Sequence, residues 1–416
     1  MGTANEARPG VFYGWIIVAA GCAILLVVWG FQYSYGVFFT ELCDDLNWKR
    51  TTVSGAYSLF MVWHSVNYFF SGWLNDRYGP RLILAICIIT LTGGYALMSA
   101  VTAPWQLYGV YGIVIGTGCG FAFLPVTSTV SRWFVKRRGM ALGIAVAGIG
   151  MGTLALAPFA QFLITRFDWR TSYLLVAGIL LIAGLPVSRL MRSDPLEKGL
   201  LPYGLEGRRE GGECGSSPCA FDFTLRQAIR TKAFWLLFAM FIFFNCAVQM
   251  VMVHFKAYAT DLGITPMVAA TFIGVIGIVS SAGRIIMGHV SDRVGRKACF
   301  FISYLLMSMM MMWLLEATQP WQFYFFSVTF GFFYGSCVPL FPAATADWFG
   351  TRSQGAILGT LLLAPGIGGA IGPLLAGRVF DSAGSYDVAI VAGAVVLLAG
   401  AVCSVLIKAP CVVRSA

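Results

Sequence analysis

Charge is what this chain has least of. Charged residues make up 11% of its 416 positions, where a soluble domain carries roughly 25%. Such a shortfall excludes an ordinary water-exposed surface for most of the chain. The net charge of +10 is not a nucleic-acid footprint, because the basic residues sit between apolar runs, as in membrane topology; no nucleic-acid partner is expected. Carboxylates are missing from the membrane interior: all eighteen acidic residues fall in loops or near the ends of apolar runs. A sodium- or proton-driven carrier of cationic drugs would need one there, so that class is disfavoured. Clustered metal ligands are missing too. The eleven cysteines are scattered, mostly inside apolar runs where cysteine acts as a small hydrophobe. Cys214 and Cys219 form the only close loop pair, and a zinc site would want more ligands. No metal and no cofactor is expected. The absence of an intramembrane nucleophile–base pair argues against an enzyme.

What remains is apolar. The chain is 58% hydrophobic with a mean hydropathy of +0.78. A spanning helix needs about 20 apolar residues. Twelve such spans can be read, at residues 12–38, 52–74, 82–102, 105–131, 139–164, 170–190, 233–258, 265–290, 298–316, 320–346, 354–378 and 386–407. Backbone groups in lipid must be satisfied internally. The long unbroken runs, such as Ala389 to Leu406, favour helices over the ten-residue alternation of a barrel. The first run is too long for a signal-peptide core, and Glu6 breaks the myristoylation pattern. The fold class expected is an all-α membrane protein of twelve transmembrane helices in two six-helix bundles.

Residues 193–231 divide the spans six and six. The segment is rich in glycine and charge, cannot bury much, and reads as a solvated linker. The expected domains are therefore an N-terminal bundle over 1–192, this linker, and a C-terminal bundle over 232–416. Lysine and arginine set the orientation. With the N-terminus inside, 21 basic residues lie on the cytoplasmic side and 6 outside. Both termini are thus expected in the cytoplasm, with the plasma membrane as location and a monomer as the working unit.

The two halves repeat at an offset near 216. Gly72, Asp76, Arg77 and Gly79 map onto Gly288, Asp292, Arg293 and Gly295. Pro104, Trp105, Gln106 and Tyr108 map onto Pro320, Trp321, Gln322 and Tyr324. Gly139, Gly143 and Gly152 map onto Gly355, Gly359 and Gly368. Two parallel six-span repeats are a transporter architecture, with the site between the halves near the midplane.

These residues carry a family resemblance. Over its whole length the chain resembles the major facilitator superfamily, whose signature is the Gly-x-x-x-Asp-Arg-x-Gly loop found here after spans two and eight. Within it, Tyr13-Gly14-Trp15 and the run Trp133 to Gly148 are similar to the monocarboxylate porter branch. The oxalate/formate exchangers share much of this pattern. The resemblance implies alternating access, with the signature loops latching the cytoplasmic side.

Arg284 is the sharpest single feature. A charge inside a span costs at least ~2.5–3.5 kcal/mol on insertion scales. No carboxylate shares its layer, so a substrate anion is a natural partner, held in bidentate fashion. Ser280 and Ser281 lie one turn earlier. Against this stand snorkelling toward the loop at Gly288 and a reach to Asp347. The resemblance adds that the porter branch carries its substrate-binding arginine here. It also marks departures. Animal members have an acidic residue where this chain has Ser280, and a lysine late in span one where this chain reads Phe31-Gln32-Tyr33-Ser34-Tyr35. The oxalate exchangers place a second cation in span eleven, which is apolar here. One cation favours a monoanion such as lactate or pyruvate.

Further expectations follow. His254, near the outer end of span seven, is the candidate proton carrier, weighed against an interfacial histidine bonded to a carbonyl. His64 reads as structural. Tyr33 and Gln32, Asn245 and Gln249, and Tyr334 and Ser336 supply neutral polar groups, each otherwise an interhelical hydrogen bond. Phe123 and Leu361 could form an apolar wall. Gly72 and Gly288 permit close helix approach, and Asp76 and Asp292 can face helix N-termini of the other half. Arg77, Arg132, Arg137 and Arg293 complete the expected gate. Bends are expected in span five at Pro158 and in span eleven around Pro365. The small organic anion, a proton and the lipid bilayer are the expected partners.

Overall fold

The computed structural model describes residues 12–48, 50–204 and 222–408. It is helical throughout, with a single isolated bridge, Phe134 with Tyr203, as the only β pairing among the described residues. The membrane helices are α1 (Tyr13–Phe39), α2 (Arg50–Tyr78), α3 (Pro80–Met98), α4 (Pro104–Trp133), α5 (Arg138–Arg166) and α6 (Trp169–Ser188) in the first half. The second half holds α7 (Lys232–Asp261), α8 (Pro266–Val294), α9 (Arg296–Leu314), α10 (Pro320–Phe349), α11 (Gln354–Phe380) and α12 (Asp387–Leu406). All but α2 contain a stretch long and apolar enough to cross a membrane. Helix α2 has the length, but its many polar residues lower its hydropathy.

Local chemistry explains why these runs start and stop where they do. Pro80, Pro104, Pro266 and Pro320 each open a helix, where the missing N–H costs nothing. The repeated Pro-Trp-Gln is a capping device. Gln106 accepts from the backbone N–H of Thr102 and Ala103 at 2.8 and 3.0 Å, and Gln322 accepts from those of Thr318 and Gln319 at 2.8 Å each. The tight turns after α2 and α8 need a left-handed residue, and Gly79 (φ 80°) and Gly295 (φ 96°) provide it.

Helix α11 breaks at Leu362–Leu363, beside the expected bend. Helix α5 instead continues unbroken through Pro158. Two interruptions carry no proline at the break: a turn at Ser34 in α1 and another at Phe121–Ala122 in α4.

The linker is less solvated than its composition implies. The Tyr203 carbonyl accepts from the N–H of Val135 and Lys136, and its own N–H donates to Trp133. Its ring packs on Phe12, Trp15 and Phe134. At the other end Phe223 donates to the Phe349 carbonyl, and Asp222 accepts from the N–H of Thr351 and Arg352. Trp133 and Phe349 are 216 residues apart, so each linker end docks on the corresponding loop of its half. Aromatic burial and backbone pairing outweigh the polar composition here. Residues 205–221, with Cys214 and Cys219, lie outside the described residues.

Candidate functional site

The site is framed by two interfaces between the halves, α2 against α11 and α5 against α8. At the basic end, where the linker and the 132–138 and 293–297 loops lie, both are closed by the same construction. The Asp76 carboxylate caps the start of α11, accepting from the N–H of Gly355 and Ala356 at 3.2 and 2.9 Å. Asp292 caps the start of α5, accepting from Gly139 and Met140 at 2.7 and 2.9 Å. Carboxylates at helix N-termini meet free N–H groups and the positive dipole end. Gly72 lies against Gly355 and Gly288 against Gly139 so closely that a Cβ at any of the four would collide with backbone or with the capping carboxylate.

The basic residues divide unequally. Arg132 pairs with Asp76 at 2.8 Å and donates to the Thr351 carbonyl, as expected of a gate. Arg77, Arg137 and Arg293 are exposed and pair with no carboxylate among the described residues. Arg77 rests on the rings of Trp73 and Tyr78, and Arg137 takes the left-handed cap position of α5. The buried cations at this end are Arg138 and Arg296. Arg138 pairs with Asp347, Arg296 bridges Asp347 at 2.9 Å and Asp292 at 2.6 Å, and Arg296 also donates to Ser291. Asp347 is thereby engaged at the basic end and does not serve Arg284. The spacing of basic residues pointed to this cluster but not to which arginine turns inward.

Arg284 sits one turn inside this closure. Its backbone carbonyl packs on Gly143, where a side chain would collide with it. Its Nη1 lies 3.1 Å from where a Cβ of Gly150 would be. Gly150 is seven residues further along α5 from the basic end, about 10 Å of helix rise. The side chain therefore runs inward, and the snorkelling reading fails. Arg284 is 3% exposed, and its Nε and Nη1 have no hydrogen-bond partner. The Ser281 hydroxyl, packed against the same glycine, is also unbonded. Ser280 instead donates to the Gly277 carbonyl of its own helix at 2.8 Å.

The other expected residues fall into two groups. Tyr334 lies beneath Arg284, its ring centre 6.0 Å from the guanidinium carbon. Tyr33 comes from the other half, within electrostatic reach of both, and is 42% exposed despite its mid-helix position. These two join the arginine. Asn245 donates to the Phe241 carbonyl one turn back at 3.1 Å, Gln249 packs toward Gly369 of α11, and Ser336 bonds to Phe332. These serve helix and bundle contacts. Leu361 and Phe123 are buried core residues. His254 is held on both ring nitrogens, 3.2 Å from the Tyr386 hydroxyl and 3.0 Å from the Pro373 carbonyl. It borders an apolar pocket with Met250, Met311 and Ala376 inside the second half, and the structure does not bring it to Arg284. Gly150 and Arg138 take part in this arrangement without having been among the expected site residues, and Gly143, which the repeat had marked, packs on the Arg284 carbonyl.

The profile of the Major Facilitator Superfamily matches residues 20–315 and 278–412, nearly the whole chain. The chain belongs to the Major Facilitator Superfamily. Monocarboxylate transporter 12 of Xenopus laevis is 27% identical over 400 residues, covering 92% of this chain and 86% of that protein. The riboflavin transporter MCH5 of Saccharomyces cerevisiae is also 27% identical, covering 98% and 80%. Among solved structures, a superfamily transporter, FucP, in its outward conformation superposes with a TM-score of 0.74 at 14% identity, covering 94% of this chain and 99% of the other. The two-half fold of the superfamily is therefore that of this chain, and this multi-pass membrane protein is related to transporters.

Proposed function

We propose that the protein is a secondary transporter for a small monocarboxylate of the lactate or pyruvate kind, moved with a proton by alternating access, and not an enzyme. It would work in the plasma membrane with both termini cytoplasmic, so that the basic end is the inner one. The observation that carries this reading is the orphaned Arg284 guanidinium, buried with two nitrogens unpaired. A buried cation without counter-ion is costly. An organic carboxylate supplies both the charge and the fork of acceptors that guanidinium favours. Ser281 packs at the same glycine and Tyr33 lies within electrostatic range, each with a hydroxyl that could donate to the same anion. Among the described residues no second unpaired buried cation stands beside it, which favours a monoanion over oxalate. Relatives of equal identity are named for different cargo, so the reading rests on this geometry rather than on any name.

The test is uptake of labelled lactate into proteoliposomes, with and without an inward proton gradient. Wild type is expected to accumulate lactate with the gradient, and Arg284→Ala, inserted to the same level, is expected to show none. Uptake by that variant at wild-type rate would remove the central assignment. Transport that requires an internal anion and ignores the gradient would point instead to an organic anion exchanger.

A further inference from the structure

We infer that His64 is the proton-binding residue of this transport site. The inference rests on the proton-coupled monocarboxylate reading above and names the group that reading leaves open.

The position follows from the repeat. At the 216-residue offset, Tyr68 corresponds to Arg284 and His64 to Ser280. The correspondence is spatial as well. Gly359 meets the Tyr68 carbonyl as Gly143 meets that of Arg284, and Gly366 meets Ser65 as Gly150 meets Ser281. His64 thus occupies, in the first half, the level one helical turn from Arg284 in the second.

Its surroundings are unusual for a structural histidine. The side chain is 6% exposed, and neither ring nitrogen has a hydrogen-bond partner. Buried polar groups in native proteins are nearly always paired, and one that is not calls for a reason. Three aromatic rings enclose it: Tyr68 at 4.5 Å, Trp29 at 5.2 Å and Phe60, stacked, at 5.5 Å. The stacked Phe60 presents its ring face to the imidazole, the arrangement in which an aromatic ring supports a cation. The Trp29 indole N–H is also buried and unpaired. Its ring lies 5.7 Å from that of Tyr33, which is within electrostatic range of Arg284. Tyr33, Trp29 and His64 therefore form a line of packed rings that leads from the imidazole toward the arginine.

The neighbouring charges set the coupling. Tyr33 faces this region from α1, and Tyr68 lies beside the ring on α2 itself. The thiol of Cys119 stands near Tyr33 and Tyr68 on α4, and Gly366 of α11 lies against Ser65. No salt-bridge partner is found for His64 among the described residues, and Arg284 is the unpaired cation one turn away from the matching level of the second half. With no anion bound, an imidazolium would add a second buried positive charge to a protein interior that already holds one. A carboxylate on Arg284 cancels the first charge and makes room for the proton. By reciprocity, the proton strengthens carboxylate binding by the same factor. Anion and proton then bind together, and the loaded site keeps the net charge of the empty one.

The chain has three histidines, which makes a direct test possible. Purified full-length protein in weakly buffered detergent with a pH indicator is mixed with L-lactate, and lactate binding is followed in parallel by calorimetry. Wild type is expected to take up about one proton per lactate bound, since the two are linked. His64→Gln should bind lactate with an affinity that no longer varies with pH and should take up none. His254→Gln should behave as wild type. Equal proton uptake by His64→Gln and wild type overturns the inference, as does lactate binding to wild type without proton uptake; in both cases the monocarboxylate site stands. Absence of lactate binding to wild type would instead remove the substrate reading, and this inference with it. If His64→Gln does not fold, the His254→Gln/His289→Gln double variant leaves His64 as the sole histidine. Its ring nitrogen-15 resonances should move to imidazolium positions on adding lactate, and fixed resonances would overturn the assignment.

Discussion

The α2/α11 and α5/α8 interfaces share one frame and differ in what the frame carries. Both join paired glycines, both cap a helix start with an aspartate, and both lay a helix carbonyl on a glycine one turn further in. Their side chains diverge at each remaining level. At the basic end, Arg138 of α5 pairs with Asp347 of α10 beside one interface, while at the corresponding positions Gln354 of α11 donates to Ser131 of α4 at 3.0 Å beside the other. One turn inward, Arg284 on α8 has Tyr68 on α2 as its counterpart in the repeat; a further turn in, Ser280 has His64. The repeat supplies the hinge and the closure. On the reading proposed above, transport chemistry sits where the repeat is broken, and in opposite halves: the unpaired guanidinium in the second, the unpaired imidazole in the first. An anion and a proton would then be served together only when the two halves are assembled.

The largest effect should come from the level where the two interfaces differ most. Arg284→Ala should lower lactate uptake by roughly 100-fold or more, as expected when a buried charged contact worth a few kcal/mol is truncated. Arg284→Lys keeps the charge but loses the planar fork. It should retain uptake at low efficiency, with the loss concentrated in KM. If lysine and alanine are equally inactive, orientation rather than charge dominates at this position. If both transport normally, the asymmetry at this level is not where the anion binds.

The basic-end asymmetry gives an intermediate effect. Asp347→Asn leaves Arg138 and Arg296 without their shared counter-ion. Asp347 is partly exposed, so the usual cost of breaking a buried pair is discounted to about 1–3 kcal/mol. Gln354→Leu removes one neutral hydrogen bond between the halves, to Ser131, worth about 1 kcal/mol, and one within its own half, to the Pro342 carbonyl. Spin labels at the exposed positions Arg137 and Arg293, in a cysteine-depleted background, report the opening of α5 from α8. Labels at Arg77 and Arg352 report α2 from α11. Asp347→Asn should widen the first pair's distance distribution more than Gln354→Leu widens the second. Equal widening would mean that the aspartate caps, common to both interfaces, carry the closure and that the extra ion pairs add little.

The architecture was legible because its causes are periodic. Long apolar runs, proline-led helix starts and the 216-residue offset each follow from lipid solvation or from capping, and the structure keeps them all. Arg284 was legible because a charge in an apolar run is conspicuous by itself. The inward turn of Arg138 rather than Arg137 was not, since adjacent arginines in a loop look alike until Arg137 takes the left-handed cap position and points away. Nor was the state of His64 or His254. Hydrogen-bond partners decide a histidine's role, and those partners come from other helices: Tyr386 and Pro373 for one, and only aromatic rings for the other. Gly150 escaped notice because a glycine in a glycine-rich helix has no individual signature. Its significance appears only once Ser281 and Arg284 are seen packed against it.

The smallest effect tests the comparison at two matching serines. Ser281 and Ser65 hold corresponding positions, each against a glycine of the other half, Gly150 and Gly366. Their hydroxyls differ. Ser65 donates to the Met61 carbonyl of its own helix at 3.0 Å, whereas Ser281 is buried with no partner and shares its glycine with the Arg284 guanidinium. Removing the Ser65 hydroxyl therefore takes away a local bond that the helix can spare, and Ser65→Ala should leave lactate KM within about twofold of wild type. Ser281→Ala should raise KM about fivefold at unchanged maximal rate, the loss of roughly 1 kcal/mol from one neutral hydrogen bond to the anion. Because both substitutions remove the same atom from the same depth of the same fold, packing effects cancel in their ratio. A ratio near one would show that the anion does not reach Ser281 and would push the carboxylate toward Tyr33. A ratio well above one, lost again in the Arg284→Ala background, would tie serine and arginine to a single bound anion.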